Sequence, residues 1–515
     1  MNRAGLAPIR LLPAALLALA LPAPAATPVL RIEPARLSLA AEVSERFLSV
    51  AVDIDQVVGG TFWDPAGGPT QVQVEPYDFD RLRLRNLARP LAPAWLRLGG
   101  SASDRTWYDL ADPPLGTPPT GFTLRLTRAQ WDAANAFAAD LGYTVIFTVN
   151  AGPGPRTSTG EWTDTNAGAL LAYTAARGYP LGVIEFGNEP NLFAVRAGLS
   201  NYDAAAYARD LARFVGLRDA LMPGVRVGGP GNIFTRTLRD DLLPGVAFGP
   251  RTHEIMPVAG ALLDVVEYHY YAAVSTRCPP SGPRVTPETA LEAAYLDGVS
   301  EPIGVVTALR DQYAPGKPLW LTESGGQSCG GEPGVGDRFL NAFWFLNTLG
   351  MVARTGHEVF VRQTLSGSTY GLLSEPALDP QPDYWAALLW RTLMGPRALA
   401  VPPPRAAALR VHAHCTRNGA AGDVTLLVLN TDARRPLRVR VRHRRKKPPL
   451  RVYVVTAPEP SGSGVQLNGV ALAPAADGTP PPLEARRRRG DLRLPPLAYA
   501  FVVVPGAAPA LCPPA

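Results

Sequence analysis

The sequence has few of the residues that bind metals. It holds four cysteines and six histidines in 515 residues, and no Cys-x-x-Cys or His-x-x-x-His spacing joins any of them. Zinc and other transition-metal sites are built from such residues at close spacing. We therefore predict no metal site, and we expect no other cofactor.

Hydrophobic runs long enough to cross a membrane are also lacking. The apolar run from Leu11 to Leu21 is too short to span a bilayer comfortably. Arg3 and Arg10 precede it and Ala23-Pro24-Ala25 follows it, which is the order of a secretory signal peptide. An uncleaved membrane anchor is the alternative. We predict a signal peptide over residues 1–25, no transmembrane anchor, and a secreted or periplasmic protein.

The four cysteines fit an oxidising compartment. Cys415 and Cys512 bracket the C-terminal region, whereas Cys278 and Cys329 lie in separate loops that follow predicted strands. Four cysteines allow three pairings. The positions favour Cys415 with Cys512 and Cys278 with Cys329, without deciding between the pairings.

Charge divides the chain into two parts. Residues 401–515 carry 18 Lys plus Arg against 6 Asp plus Glu, a net charge of +12, and subtraction from the totals of 50 and 44 leaves −6 for the rest. The basic part is rich in proline and contains short runs typical of β-strands. These runs are Val424 to Leu429, Leu437 to Val441, Leu450 to Val455 and Ala498 to Val504. We predict a β-sandwich over residues 396–515, completed by an N-terminal strand near Leu30 to Leu39 within residues 26–46.

Residues 47–395 alternate short apolar runs with helix-like stretches, which is typical of a (β/α)₈ barrel. An eighth strand is predicted near Thr369 to Leu373, with Ser49 to Asp53 as the alternative first strand. The other predicted strands are Ala94 to Leu98, Thr144 to Val149, Gly182 to Phe186, Val225 to Gly228, Val265 to His269, Pro318 to Thr322 and Glu358 to Arg362. The predicted helices include Arg128 to Leu141, Asn166 to Ala176, Asp203 to Leu221 and Arg338 to Arg354.

Two of these strands end in a glutamate. Glu189 follows the run Leu181 to Phe186, and Glu323 follows the run Leu319 to Thr322. The carboxyl ends of barrel strands carry the chemistry of such enzymes, although either acid could instead cap a helix or pair with an arginine. Two carboxyl groups across a pocket can cleave a glycosidic bond, since one donates a proton while the other attacks the anomeric carbon.

An ordered set of short motifs resembles glycoside hydrolase family 79, the heparanase and β-glucuronidase family within the clan A retaining glycosidases. The stretch Val183 to Asn191, which contains Gly187-Asn188-Glu189-Pro190, is similar to the acid/base motif of the clan. The other motifs extend the resemblance over nearly the whole mature chain. They are Phe47 to Val50, Leu96 to Gly100, His269 to Tyr271, Trp320 to Glu323, Val361 to Gln363, Asp383 to Trp385, Val465 to Gly469 and the late Cys512.

The resemblance implies a role for each matching residue. Glu189 would be the acid/base and Glu323 the nucleophile, with Asn188 bound to the sugar hydroxyl beside the anomeric carbon. His269 and Tyr270 would orient the nucleophile, with Tyr270 holding it, although packing is the ordinary alternative for both. The sugar would be bound by Asp53, Ser101 and Gln363. Its carboxylate would be bound by Tyr370, Gly330 and Gly331.

Departures from the family concern the substrate and the processing of the chain. Phe193-Ala194-Val195 stands where heparanase has a lysine that helps to grip sulfated substrate, and Arg236, Arg239 and Arg277 could contribute or could be solvated. The insertion that heparanase excises is missing, because only Asp112 to Phe122 separates Tyr108-Asp109-Leu110 from the next helix. We therefore expect a single-chain, monomeric enzyme.

The basic segment Arg438 to Lys447 supports a second hypothesis. Its alternation places Arg438, Arg440 and Arg442 on one face of a strand, where they could bind a polyanion. An exposed edge strand protected by charge is the alternative, and no nucleic-acid partner is expected. The predicted function is hydrolysis of β-linked glucuronic acid, exo or endo. The alternatives are heparanase-like cleavage of heparan sulfate and a glycan-binding protein without activity.

Overall fold

The computed structural model describes residues 1, 27–235, 248–278, 282–404, 406–443 and 449–514. The predicted signal peptide falls on undescribed residues almost entirely, and so do Arg236, Arg239 and the end of the basic segment. Eight parallel strands form a closed barrel in which each strand pairs with the next along the chain. They are β1 (Leu48–Asp53), β2 (Ala94–Gly99), β3 (Tyr143–Val149), β4 (Leu181–Phe186), β5 (Arg226–Thr235), β6 (Val265–Val274), β7 (Leu319–Ser328) and β8 (Val359–Arg362).

The barrel confirms the predicted fold class, and one predicted strand was wrong. Thr369 to Leu373 forms no strand, and the alternative near Ser49 to Asp53 is β1, which pairs with both β8 and β2. Gly367 and Ser368 have φ angles of 93° and 56°. Left-handed residues turn the chain, so the segment that follows β8 folds back over the barrel mouth instead of extending along it.

Helices cover the outside of the barrel. The helix Arg128–Leu141 illustrates how the sequence sets the ends of a helix. Thr127 caps its first turn by accepting a hydrogen bond from the Gln130 N–H, and Gly142 ends it with a φ of 79°. Its buried residues recur every three or four positions, as in an amphipathic helix packed on a sheet. The longer helices are Leu82–Ala88, Arg128–Leu141, Thr165–Arg177, Ala204–Leu221, Thr252–Ala259, Ser300–Tyr313, Asn341–Arg354 and Pro382–Leu393.

The helix Asn341–Arg354 joins the barrel to the C-terminal domain, and nearly all of its residues are buried. The Phe343 ring lies 5.8 Å from the Tyr499 ring, edge to face, and the Asn347 side chain hydrogen-bonds His412 at 3.0 Å. A side chain at Gly350 would overlap the His412 ring. The two domains are therefore packed closely at this helix.

The C-terminal domain contains two sheets. The smaller has Leu437–Val441 at its centre, between Val29–Ile32 and Leu492–Leu494. The apolar side chains of the two sheets form a second core. The larger sheet contains Ser38–Glu42, Met394–Ala400, Leu409–Thr416, Val424–Asn430, Ala498–Val504, Pro449–Thr456, Gln466–Leu467 and Val470–Ala471, with Arg486–Arg489 also paired to Pro449–Thr456.

Two details differ from the predictions. The N-terminal segment forms two strands instead of one, Val29–Ile32 in the smaller sheet and Ser38–Glu42 in the larger, because a 3₁₀ turn begins at Pro34 between them. Proline lacks the N–H that a continuing strand would donate. The strand Leu437–Val441 is paired on both sides, so its arginines do not protect an exposed edge.

Both favoured cysteine pairs are bridged in the structure, Cys278 with Cys329 and Cys415 with Cys512. The first bridge ties the loop after β6 to the end of β7, and the second ties the end of the chain to the larger sheet. Among the described residues, no helix is both long enough and apolar enough to cross a membrane.

Replacing Cys415 and Cys512 together by alanine is expected to lower the free energy of unfolding by about 2 to 5 kcal/mol, because the bridge restricts the unfolded chain. Thermal and denaturant unfolding of the variant and of the wild-type protein would measure the loss. The variant and the wild-type protein, both measured in reductant, are the control for the substitutions themselves. Equal stability of the variant and the oxidised protein would contradict the expectation.

Candidate active site

Two buried glutamates meet at the carboxyl end of the barrel. Glu323 lies within β7, and Glu189 follows β4 with an unusual left-handed backbone, φ 53°. Their side chains are 9% and 7% exposed. A carboxylate oxygen from each and one His269 ring nitrogen all lie within 4.8 Å of one another. The two strand-end acids therefore share one small space.

Arg97 lies at the centre of the site and is 1% exposed. It projects from β2, and its Nη1 donates to Glu323 Oε2 at 2.7 Å, while its Nη2 donates to Asn188 Oδ1 at 2.9 Å. Its Nε lies 2.9 and 3.0 Å from the two carboxylate oxygens of Glu185. One guanidinium thus fixes both Glu323 and the amide beside Glu189.

Glu323 is held in its charged form. Burial by itself raises the pKa of its carboxyl, but the charges of His269 and Arg97 and the hydrogen bonds of Tyr271 and Arg97 outweigh burial, so the pKa is lowered. The Tyr271 hydroxyl donates to Glu323 Oε1 at 2.7 Å. An ionised carboxylate with fixed oxygens is suited to nucleophilic attack.

The hydroxyl that contacts Glu323 belongs to Tyr271, whereas the resemblance implied that Tyr270 would make this contact. Side chains alternate between the two faces of a strand, so His269 and Tyr271 point into the site while Tyr270 points outward. The Tyr270 hydroxyl lies against Gly298, where an added Cβ would be 2.5 Å from it. Once His269 is placed in the site, period-two alternation alone selects Tyr271.

The segment that carries Glu189 is held by two side chains. His269 Nδ1 lies 3.0 Å from Glu189 Oε1. Asp104, which is almost fully buried, accepts from the backbone N–H groups of Asn188 at 3.1 Å and Ala151 at 3.0 Å. Burial raises the pKa of Asp104 to about 7, although the two N–H groups oppose the shift. Asp104 fixes the backbone that presents the acid.

A second pair of acids lies below the site in the barrel interior. Glu185 binds Arg97 and also accepts from the Thr148 hydroxyl. Burial, and then the charge of Glu185, raise the pKa of Glu267 well above its usual value. Arg97 forms ion pairs with both Glu185 and Glu323. Sequence reasoning missed Arg97, Glu185 and Glu267, whose only signal is a charged residue within an apolar strand.

The glutamates open into a pocket of about 670 Å³. Four of the implied sugar-binding residues, Asp53, Ser101, Gln363 and Tyr370, line it. Asp53 Oδ2 lies 3.5 Å from Gln363 Nε2. Burial, followed by the charges of Asp55 and Glu323, raises the pKa of Asp53 well above its usual value.

Gly330 and Gly331 do not line the pocket, but they lie against Trp63 and Tyr370, which do. Their φ angles are 79° and 84°, and the Gly330 carbonyl accepts from the hydroxyls of Ser368 and Thr369. The Gly331 N–H donates to the Ser328 carbonyl at 3.3 Å. Trp63, Val195 and the Cys278–Cys329 bridge also line the pocket.

The three ligand atoms of Glu189, His269 and Glu323 are close enough to bind a metal ion. The Arg97 guanidinium already contacts Glu323 at 2.7 Å, and it lies 3.3 Å from His269 Nε2. A divalent cation would be repelled by this buried positive charge. The arrangement is instead suited to proton transfer and nucleophilic attack by the two acids.

Comparison with known proteins identifies the family of the chain. The family model described as "Glycosyl hydrolase family 79, N-terminal domain" matches residues 71–350. Heparanase-like protein 1 of Arabidopsis thaliana is 30% identical over 484 residues, which cover 83% of this chain and 85% of that protein. Mouse heparanase is 28% identical, covering 91% and 92%, and baicalin-β-D-glucuronidase of Scutellaria baicalensis is 28% identical, covering 83% and 84%.

The fold is similar to that of an α-L-arabinofuranosidase of Thermotoga maritima. The TM-score is 0.63 at 14% identity, and the match covers 92% of this chain and 99% of that one. The family model spans more than half of the sequence, and relatives align along most of it. The chain belongs to glycosyl hydrolase family 79 and is a glycoside hydrolase.

Proposed function

We propose that this protein is a retaining β-glucuronidase in which Glu189 is the acid/base and Glu323 the nucleophile. The proposal rests on the short separation of the two acids and on the difference between their surroundings. Carboxyl groups about 5 to 5.5 Å apart suit a retaining mechanism, and inversion needs about 6.5 to 9.5 Å. The nearest oxygens here lie within 4.8 Å, and the fixed charges and donors surround Glu323.

The reaction takes two steps. Glu189 donates its proton to the leaving oxygen while Glu323 attacks the anomeric carbon, which forms a covalent glycosyl ester. Water then attacks the same carbon with Glu189 as the base, and Glu323 is released. Asn188, oriented by Arg97, binds the neighbouring sugar hydroxyl, and this contact strengthens as positive charge develops on the ring.

The substrate is proposed to be a β-linked glucuronic acid. Two relatives carry names that support it, a heparanase and a glucuronidase of baicalin. In the pocket, Asp53, Ser101 and Gln363 would bind sugar hydroxyls. Tyr370 would bind the carboxylate, and Gly330 and Gly331 would support this wall of the pocket through their contacts with Trp63 and Tyr370.

The protein is also proposed to be exported and to act as a single-chain monomer. Two disulfides among the described residues suit an oxidising compartment. Only residues 110–123 join the strand Thr106–Asp109 to the strand Leu124–Thr127, so no long segment needs excision at this position.

Replacing Glu323 by glutamine should lower turnover of an aryl β-glucuronide by at least about a thousandfold, since the nucleophile is lost. Glu358→Gln is the matched control, because Glu358 lies at the opposite end of the barrel, where its carboxylate accepts from the Trp320 ring. Kinetics with circular dichroism would separate lost chemistry from lost folding. Azide should rescue Glu323→Ala and give the azide of inverted configuration. Unchanged turnover in Glu323→Gln would remove this residue from the mechanism.

Removing the Tyr271 hydroxyl should raise the pKa of Glu323, because a donor to its charged form is lost. In Tyr271→Phe, the acid limb of kcat/KM should move to higher pH by about one unit, with lower kcat/KM at its plateau. Tyr270→Phe is the matched control and should leave the limb in place. A shift of the acid limb in Tyr270→Phe but not in Tyr271→Phe would indicate instead that Tyr270 holds Glu323.

Product sizes should reveal the natural mode of cleavage. We expect free glucuronic acid from an aryl glucuronide. The enzyme, at the same enzyme concentration, should also be incubated with heparan sulfate. Chromatography that finds internal fragments would indicate endo action, whereas free glucuronic acid would indicate exo action. Failure to hydrolyse any β-glucuronide, with other aryl glycosides cleaved, would overturn the proposed substrate.

A further inference from the structure

The smaller sheet of the sandwich carries arginines on its outer face. Its central strand buries Leu437, Val439 and Val441 and turns Arg438 and Arg440 outward. Arg31 is the register partner of Arg440, and Arg493 is the partner of Arg438. We call these four arginines the basic face: Arg31, Arg438, Arg440 and Arg493.

The basic face is electrostatically unfavourable for the sheet by itself. Like charges directly opposite each other on neighbouring strands are destabilising, and Arg438 and Arg493 occupy such positions. Asp491 binds Arg440 at 2.8 Å. Its pKa is lowered by that hydrogen bond and by the charges of Arg440, Arg438 and Arg31. One carboxylate among four guanidiniums leaves a net charge of +3.

A groove adjoins the basic face. This cavity of about 330 Å³ lies between the two sheets, where Arg486 and Arg488 border it together with Arg493. Val452 and Leu492 contribute apolar surface to its lining. Within the described parts of the chain, Arg486, Arg488 and Arg493 form no ion pair with a carboxylate. The groove therefore extends the unneutralised positive charge of the face.

We propose that the basic face and its groove bind an anionic polysaccharide, at a site separate from the catalytic pocket. Outward side chains repeat about every 6.6 to 6.8 Å along a strand and about 4.8 Å across strands. A linear polymer with regular carboxylate or sulfate groups can contact several of these guanidiniums at once. Arginine pairs with such groups through two parallel hydrogen bonds, and the apolar lining can cover the carbon surface of a sugar ring.

The observations favour a glycan over a single-stranded nucleic acid. Proteins bind single-stranded nucleic acid by stacking bases on aromatic side chains. The described outward positions of the three strands are occupied by arginines and by Val29, with no aromatic ring among them. Binding at this face needs neither Glu189 nor Glu323, so the inference goes beyond the proposed function. Binding at the basic face would hold the enzyme on an anionic matrix.

The test compares two variants that lose the same charge. One replaces Arg31, Arg438 and Arg493 by glutamine and leaves the Arg440–Asp491 pair intact. The matched control replaces Arg89, Arg209 and Arg213, three exposed arginines of the barrel, by glutamine. Affinity for heparin is measured from 0.05 to 0.3 M NaCl, with dextran and duplex DNA as competitors and aryl glucuronide turnover as a second readout.

The first variant should bind heparin at least tenfold more weakly at 0.15 M NaCl. The slope of log affinity against log salt should shrink by about two, as expected for three lost contacts. Its melting temperature should not fall, because a like-charge pair is removed. The control should bind like the wild-type protein, dextran should not compete, and turnover should be equal in all three proteins.

Equal loss in both variants, or none in the first, would overturn the proposal. Stronger competition by duplex DNA than by heparin would overturn it in favour of a nucleic acid. A protein that hydrolyses no glucuronide would refute the proposed function alone, since the heparin measurement would still decide whether the basic face binds.

Discussion

The buried guanidinium of Arg97 is the interaction on which the catalytic arrangement depends. Burying a charge costs several kcal/mol unless partners surround it, and a guanidinium has five N–H donors in one plane. Arg97 directs them to Glu185, Glu323 and Asn188. Glu185 lies in β4, Asn188 in the turn after β4, and Glu323 in β7. One side chain therefore fixes the relative positions of the acids across the mouth of the barrel.

The same network gives the two glutamates in one small space different surroundings. Arg97 and Tyr271 surround Glu323 with charge and donors, whereas Glu189 contacts a histidine and lies on a backbone held by Asp104. Electrostatic preorganisation of this kind needs no rearrangement when the reaction occurs. Burial and the charge of Glu185 raise the pKa of Glu267 below the site, which disfavours a third negative charge beside the same guanidinium.

Patterns of local sequence predicted the barrel, its helices and both strand-end acids, because alternating apolar runs and turn residues are local signals. The places of the cysteines in the chain favoured the pairs Cys278–Cys329 and Cys415–Cys512 but did not decide between the three pairings. Tyr271 was predictable and was missed, since strand alternation from His269 determines it. Arg97, Glu185 and Asp104 were not predictable, because their partners are far away in sequence and only the closed barrel brings them together.

The long-range pairing of the two N-terminal strands affects the order in which the chain folds. Val29 pairs with Arg438, and Ser38 pairs with Ala400, so the beginning of the chain binds segments that are synthesised near its end. Contacts across so much sequence are slow to form, because their closure entropy must be overcome first. During synthesis or translocation, the barrel strands can assemble while residues 29–42 still lack their partners. The sandwich is therefore expected to close last, and its apolar faces are the surfaces that a chaperone would need to shield until then.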